Sequence, residues 1–208
     1  PLSKSLEPIA PPRLTLLAAD GTPIAQNGAI MGEPVKAAKL PPHVRQAFLA
    51  IEDRRFYSHW GVDPRGLLRA TWSNVRGSGP KQGGSTITQQ VAKNMLLTSD
   101  RTITRKVKEA FLAQRIEKAF SKERILELYL NQIFLGISAY GVEAASRQYF
   151  GKSCQDLTLG EAATLAGLTR WPNTNNPIRN LENARKRRGV VLRQMLEEGF
   201  ITQAEHDA

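Results

Sequence analysis

The sequence predicts a mainly α-helical domain, and three observations carry that prediction. From Val44 onward apolar residues recur at i, i+3, i+4 and i+7, segment after segment. Ser, Thr, Asp or Asn opens most of these segments, where a helix N-terminus needs a side-chain acceptor. One stretch alone, near the N-terminus, carries a good strand signal. At 208 residues the chain is long enough for one domain with a real core, or one domain with a small lobe.

Residues 1–13 are proline-rich and lack periodicity, and read as a lead-in to a domain over 14–208. Leu14 to Leu17, then Asp20-Gly21, then Ile24-Ala25 form a short N-terminal hairpin with Asp-Gly at its turn. Residues 34–42 link it to the helical body. Val44, Ala47, Phe48 and Ile51 give the first helix its apolar face. Asp63-Pro64 is an N-cap followed by proline at the first helical position, and Leu68, Trp72 and Val75 mark a buried stripe behind it. Residues 76–84, R-G-S-G-P-K-Q-G-G, read as a mobile loop, since glycine loses the most backbone entropy on ordering. Ser85 caps the next helix, which runs to about Leu97. A longer helix covers 102–120, and Ser121 starts another with Ile125, Leu126, Tyr129 and Leu130 as its apolar face. Thr158-x-x-Glu161 is a capping box opening a small-residue helix, and Thr202-x-x-Glu205 opens a last turn. Between them a long helix starts near Asn180 and ends at Gly199.

Composition narrows the function. Lys and Arg number 29 against 19 Asp and Glu, a formal charge of +10, which suits an anionic partner: nucleic acid, lipid headgroups or a phosphorylated substrate. The single cysteine, Cys154, excludes an internal disulfide and a cysteine zinc cage. The three histidines are widely spaced, against a histidine-rich metal site. No run of 18 apolar residues reads as a membrane span.

The chemistry centres on residues 52–63, E-D-R-R-F-Y-S-H-W-G-V-D. Glu52 falls where the apolar helix face meets a turn, and a carboxylate held at a helix end suits a general base. Asp53 adjoins it, His59 is placed to fix the loop by hydrogen bonding, and Phe56 to pack beneath it. In G-G-S-T-I-T-Q-Q-V-A-K (83–93), Thr86, Gln90 and Lys93 share one helical face, behind Ser85 and beside a helix N-terminus that attracts anions. A phosphate or sugar site fits there. In the next helix Arg105 and Lys106 lie four and three residues before Glu109, so all three can meet. Cations close to Glu109 favour its ionised form and make it a poor general acid. They suit a pyrophosphate leaving group, which needs positive charge rather than a proton, with a divalent cation (Mg²⁺ or Mn²⁺) bridged by Glu109 as a further aid. Lys122-x-x-Ile125-Leu126-Glu127-x-Tyr129-Leu130-Asn131 follows, with Glu127 and Asn131 in structural roles, then residues 159–166, Pro172, Asn176-Pro177 and Arg188-x-x-Val191-Leu192-x-x-Met195 as scaffold. The basic run 185–188 is read as solvated.

These five stretches, in this order, resemble the five motifs of the peptidoglycan glycosyltransferases, the lipid II polymerases of bacterial cell-wall synthesis. The resemblance covers nearly the whole chain from about Leu14. Phe134 stands where many relatives have Tyr, and Ser138 where Gly is frequent. The resemblance implies a lysozyme-like helical core with a smaller membrane-proximal lobe, and matches the family's second essential glutamate to Glu109. It further implies processive, inverting polymerisation of lipid II onto a lipid-linked nascent glycan at the external face of the cytoplasmic membrane, and inhibition by moenomycin-type phosphoglycolipids. The chain looks like a catalytic region without its membrane anchor, and a transpeptidase domain often accompanies such regions. Two other readings compete: a lysozyme-like glycan hydrolase, which leaves the Lys93, Arg105 and Lys106 cluster without a purpose, and a basic nucleic-acid binder, for which no recognition helix or aromatic RNA platform is evident.

Overall fold

The structure, a computed structural model, describes residues 13–76, 83–95 and 102–208. Nine α-helices lie among them: α1 (Pro42–Glu52), α2 (Pro64–Arg76), α3 (Ile87–Met95), α4 (Ile103–Ala119), α5 (Lys122–Gln132), α6 (Val142–Phe150), α7 (Leu159–Gly167), α8 (Leu181–Glu197) and α9 (Gln203–Asp207). The mainly helical expectation holds. Local side-chain chemistry sets most helix starts. Thr102, Ser121, Thr158, Asn180 and Thr202 each accept a first-turn backbone N–H, and Thr158 and Thr202 close full capping boxes with Glu161 and Glu205. Each cap satisfies donors that would otherwise lack a partner, typically worth about 1 kcal/mol.

The cap of α3 lies one residue later than expected. Thr86, not Ser85, accepts from the Gln89 amide (3.0 Å), and the Gln89 side chain accepts from Thr86 N in return (2.9 Å). The last residues expected of this helix, 96 and 97, lie outside the described residues, as do 77–82 of the loop expected to be mobile and 1–12 of the lead-in.

The hairpin is present. β1 (Arg13–Leu17) pairs antiparallel with β2 (Pro23–Gly28), and Asp20 holds the turn by accepting from Thr22 N and Oγ1. A second pairing was not expected: β3 (Ile30–Met31) lies parallel to β4 (Ala139–Tyr140). Two-residue strands leave no periodicity to read, and their partners are over a hundred residues apart.

Helix α1 is the centre of the core. Val44, Ala47 and Phe48 are fully buried. The small face of α7 (Ala162, Ala163, Ala166) lets α1 and α8 approach it closely, while Ile87 and Val91 of α3 pack toward α5, whose Ile125, Leu126, Tyr129 and Leu130 are buried. Burying one such large side chain contributes about 1.5–3 kcal/mol. Helix α5 also ties down the connector ahead of α1. Asn131 accepts from Val35 N (2.8 Å) and donates to Val35 O (2.9 Å), and Glu127 accepts from Ala37 N (3.2 Å). Glu127 and Asn131 thus serve backbone groups that would otherwise be unpaired.

The expected buried stripe on α2 is wrong. Leu68, Trp72 and Val75 are 71%, 61% and 78% exposed. Helical spacing makes them share a face but says nothing of what covers it. Ile103, Val107 and Phe111 of α4 are likewise exposed. Residues following α5 adopt left-handed backbone: Ile137 (φ 41) and Ser138 (φ 62), then Gly141 (φ 86). Ser138 is the position where relatives often have glycine, and it carries a side chain at a conformation that favours Gly.

These environments predict opposite outcomes for two substitutions. A Cβ at Gly141 would sit 2.7 Å from Asn131 O at a positive φ, so Gly141→Ala should destabilise by roughly 1–3 kcal/mol or more. Leu68→Ser should stay within about 0.5 kcal/mol of the parent. Urea unfolding of both variants checks the pair.

Candidate active site

A cleft with a volume of ≈ 280 Å³ gathers Glu52 and Asp53 from the end of α1, Gly66 and Arg69 from α2, Gly83 to Thr86 ahead of α3, Gln90 and Lys93 from α3, Lys106 and Glu109 from α4, and Thr169, Arg170 and Arg187 from the C-terminal part of the chain. The size is near the lower end of small-molecule sites.

Glu52 is the last residue of α1, and the two arginines that follow Asp53 turn to other carboxylates. Arg54 pairs instead with Glu197 and Glu198, and Arg55 with Asp63. Neutral donors hold the Glu52 carboxylate: Gln90 Nε2 donates to Oε2 (2.7 Å) and Thr169 Oγ1 to Oε1 (2.5 Å). A carboxylate offers about four lone-pair directions, and these two bonds use two of them.

Asp53 turns inward. Its Oδ2 accepts from His59 Nε2 (2.8 Å) and from Ile87 N at the start of α3 (2.9 Å). His59 Nδ1 accepts from Gly61 N (3.1 Å), which fixes the proton on Nε2. Thr86 Oγ1 donates to Gly61 O (2.7 Å), so the Thr86 hydroxyl serves the loop and the helix cap rather than a ligand. Phe56 is buried edge-on to His59, with the Lys122 ammonium 4.6 Å above its ring. Lys122 also donates to His59 O (2.6 Å) and Glu117 (2.8 Å), and Glu117 accepts from Thr88 (2.6 Å). The loop after Glu52 is therefore bolted to α3, α4 and α5.

Glu109 is 1% exposed, and two cations hold it. Arg105 Nη1 donates to Oε1 (2.5 Å) and Lys106 Nζ to Oε2 (2.8 Å), as the i+4 and i+3 spacing implies. Lys106 also reaches Ser85 Oγ (3.2 Å). With both oxygens so engaged, and no group of three or more His, Cys, Asp or Glu arranged for an ion among the described residues, the donor set does not fit a resident Mg²⁺ or Mn²⁺.

Phe134 lies outside the cleft lining, its ring 4.9 Å from that of Tyr140. Conversely, sequence reasoning missed Thr169, Arg170, Arg69 and Arg187. The basic run read as solvated divides: Arg185, Lys186 and Arg188 are exposed, but Arg187 turns into the cleft. Gly167 makes room for it, since a Cβ there would meet the Arg187 stem at 2.9 Å. Burial pulls the Arg187 guanidinium below its usual range, opposed by the negative charge of Glu52. Burial, and then the charges of Glu52 and Asp53, push the Tyr129 phenol well above its usual range, so it stays neutral beneath the site. The signal for Arg187 was the glycine at helical distance on the neighbouring small-residue helix, which no spacing rule connects to it.

Asp53→Asn can keep one oxygen for both donors, but it removes the negative charge that strengthens those bonds and places an NH₂ where the second oxygen lay. It should cost about 1–3 kcal/mol, measured by urea unfolding.

Three comparisons bear on this geometry. The transglycosylase family model matches residues 20–196. The chain is 50% identical over 195 residues to penicillin-binding protein 1A of Haemophilus influenzae, covering 94% of this chain and 23% of that protein. It is 50% identical over 194 residues to the Escherichia coli K12 protein of the same name (93% and 23%), and 53% identical over 173 residues to that of Aquifex aeolicus (83% and 24%). The chain thus spans about a quarter of the length of these relatives. A crystal structure of the Haemophilus influenzae protein superposes with a TM-score of 0.54 at 30% identity, covering 95% of this chain and 20% of that one. Motif order, helical fold and the family match agree, and the chain belongs to the transglycosylase family, the family of the peptidoglycan glycosyltransferase domain.

Proposed function

We propose that this domain polymerises lipid II by inverting glycosyl transfer, with Glu52 as general base and the Glu109 cluster as the pyrophosphate site. The observation that carries this reading is the contrast between the two carboxylates of one cleft. Neutral donors hold Glu52, and cations hold Glu109. A glycosidase pair needs one carboxyl kept protonated in an apolar setting, and Glu109 sits between an arginine and a lysine instead.

In this reading Gln90 and Thr169 orient Glu52 toward the 4-hydroxyl of the acceptor GlcNAc. Glu52 removes that proton as the oxygen attacks C1 of the donor MurNAc from the face opposite its pyrophosphate. The C1–O bond to phosphate breaks, and both electrons leave with undecaprenyl pyrophosphate. Lys106 and Lys93, which line the cleft, meet the developing phosphate charge, and Arg105, outside the lining, adds its charge through its bond to Glu109. The product link is β-1,4, and the proton departs from Glu52 to solvent.

Lipid II and the lipid-linked nascent glycan are the substrates in this reading, at the external face of the cytoplasmic membrane. No helix among the described residues is long and apolar enough to cross a membrane. The exposed apolar residues of α2 and α4 flank the cleft-lining residues of the same helices and suit contact with a membrane surface. A moenomycin-type phosphoglycolipid would occupy the same cationic cleft, and an adjoining transpeptidase domain would cross-link the product.

Glu52→Gln should lower lipid II polymerisation by roughly 10²–10⁴-fold with an unchanged melting temperature. Substantial turnover in that variant removes Glu52 as the base. Hydrolysis of finished glycan strands by the parent protein, without polymerisation of lipid II, would favour the hydrolase reading. Arg105→Ala and Lys93→Ala should each weaken binding of a moenomycin-type inhibitor by roughly 1.5–3 kcal/mol, read by calorimetry. Full affinity in both would move the anion site elsewhere.

A further inference from the structure

The connection between α7 and α8 carries a feature that the reaction above does not use. Trp171 is 57% exposed and sits at φ 58. For a bulky side chain the left-handed region is an outlier, and such a residue persists only where its surroundings over-determine it. They do so here. Trp171 O accepts from Thr174 N and Asn175 N (3.0 Å each). Asn175, itself buried, donates to Arg170 O (2.6 Å) and Gly167 O (3.3 Å). The backbone is held in a costly conformation, and the ring it carries is left in solvent.

Its placement gives that arrangement a purpose. Thr169, two residues earlier, hydrogen-bonds Glu52, so the Trp171 backbone lies within roughly 7 Å of the Thr169 backbone. Arg170 lines the cleft, and its guanidinium lies 4.9 Å from the indole centroid, covering part of the ring. Trp171 is not itself among the lining residues, and the Arg170 contact joins its ring to a side chain that is. Most of the cleft is charged or polar, and hydroxyls and amides of a sugar find partners in it. The C–H face of a pyranose does not, and an open, rigid aromatic surface is its natural complement.

We propose that Trp171, braced by Arg170, is a stacking platform for a pyranose of the β-1,4-linked N-acetylhexosamine glycan. The ring binds the sugar next to the one being joined and keeps it in line with Glu52. This rests on the glycan-polymerising reading but makes a separate binding claim.

The positive φ supplies a clean variant: Trp171→Gly removes the ring and relieves the backbone, so its melting temperature should equal or exceed the parent's. Trp171→Phe keeps an aromatic surface. The chain has three tryptophans, so in a Trp60→Phe, Trp72→Phe background the indole emission reports on Trp171 alone. Titration with a soluble tetramer of β-1,4-linked N-acetylglucosamine should change that emission saturably. By calorimetry Trp171→Gly should bind the tetramer roughly 3–10-fold more weakly, with Trp171→Phe largely restored. With lipid II, shorter products at unchanged KM would place the ring under the growing glycan, and a raised KM at unchanged product length would place it under the incoming unit. An absent emission change, or equal tetramer affinity in Trp171→Gly, overturns the platform. So does loss of binding to anionic phospholipid vesicles with tetramer affinity intact, which would make Trp171 a membrane contact. Tetramer binding that depends on Trp171 in a protein that fails to polymerise lipid II would keep the platform and discard the polymerase reading.

Discussion

One oxygen atom, Asp53 Oδ2, holds the site in register. It accepts from the His59 ring and from the first backbone N–H of α3. The first bond fixes the loop that follows Glu52, and the second fixes the helix that carries Gln90 and Lys93. A buried carboxylate is costly unless its lone pairs are used, so this oxygen cannot release either partner without penalty. The end of α1, the motif loop and the start of α3 therefore move as one body. The second connection between the same parts, from Thr86 Oγ1 to Gly61 O, closes the ring of contacts.

Around that body the chain sorts its charges by neighbour. Glu52 and Glu109 share one cleft, and they differ in what touches them. An amide and a hydroxyl are the hydrogen-bond donors to Glu52, with the Arg187 charge acting on it as well, whereas a guanidinium and an ammonium bond Glu109 directly and spend most of its charge locally. Two cations around one buried anion leave net positive charge where a phosphate would lie. The aggregate charge of +10 becomes chemically useful at this point, in a few side chains facing inward, while much of the remainder is solvated.

Local signals in the sequence were legible because local physics made them. Thr158, Ser121, Asn180 and Thr202 start helices with side chains that any unfolded copy of the segment would also offer. The Arg105–Lys106–Glu109 cluster is fixed by helical spacing alone. The displaced cap at Thr86 was readable in principle: Gln lies three residues after Thr86, whereas Thr lies three after Ser85, and the reciprocal box needs Glu or Gln. The α2 stripe failed for a different reason, since periodicity identifies a common face and leaves its neighbour unspecified. Thr169 and Arg187 reach Glu52 only through the packing of α7 on α1 and α8, and no short-range pattern encodes that.

The hydrogen bond from Thr169 to Glu52 spans 117 residues of chain, and the Arg54–Glu198 contact spans 144. Contacts of this separation form late, because the intervening chain must be ordered first. During synthesis at roughly 5–20 residues per second, the segment bearing Glu52 exists for many seconds before the residues that orient it. A nascent or truncated chain ending ahead of α7 would own both glutamates and all the cations of α3 and α4, yet lack one of the two donors that hold Glu52. Full orientation of Glu52 is thus tied to completion of the domain, so that an unfinished chain holds the cations of the cleft before it acquires both donors to this carboxylate.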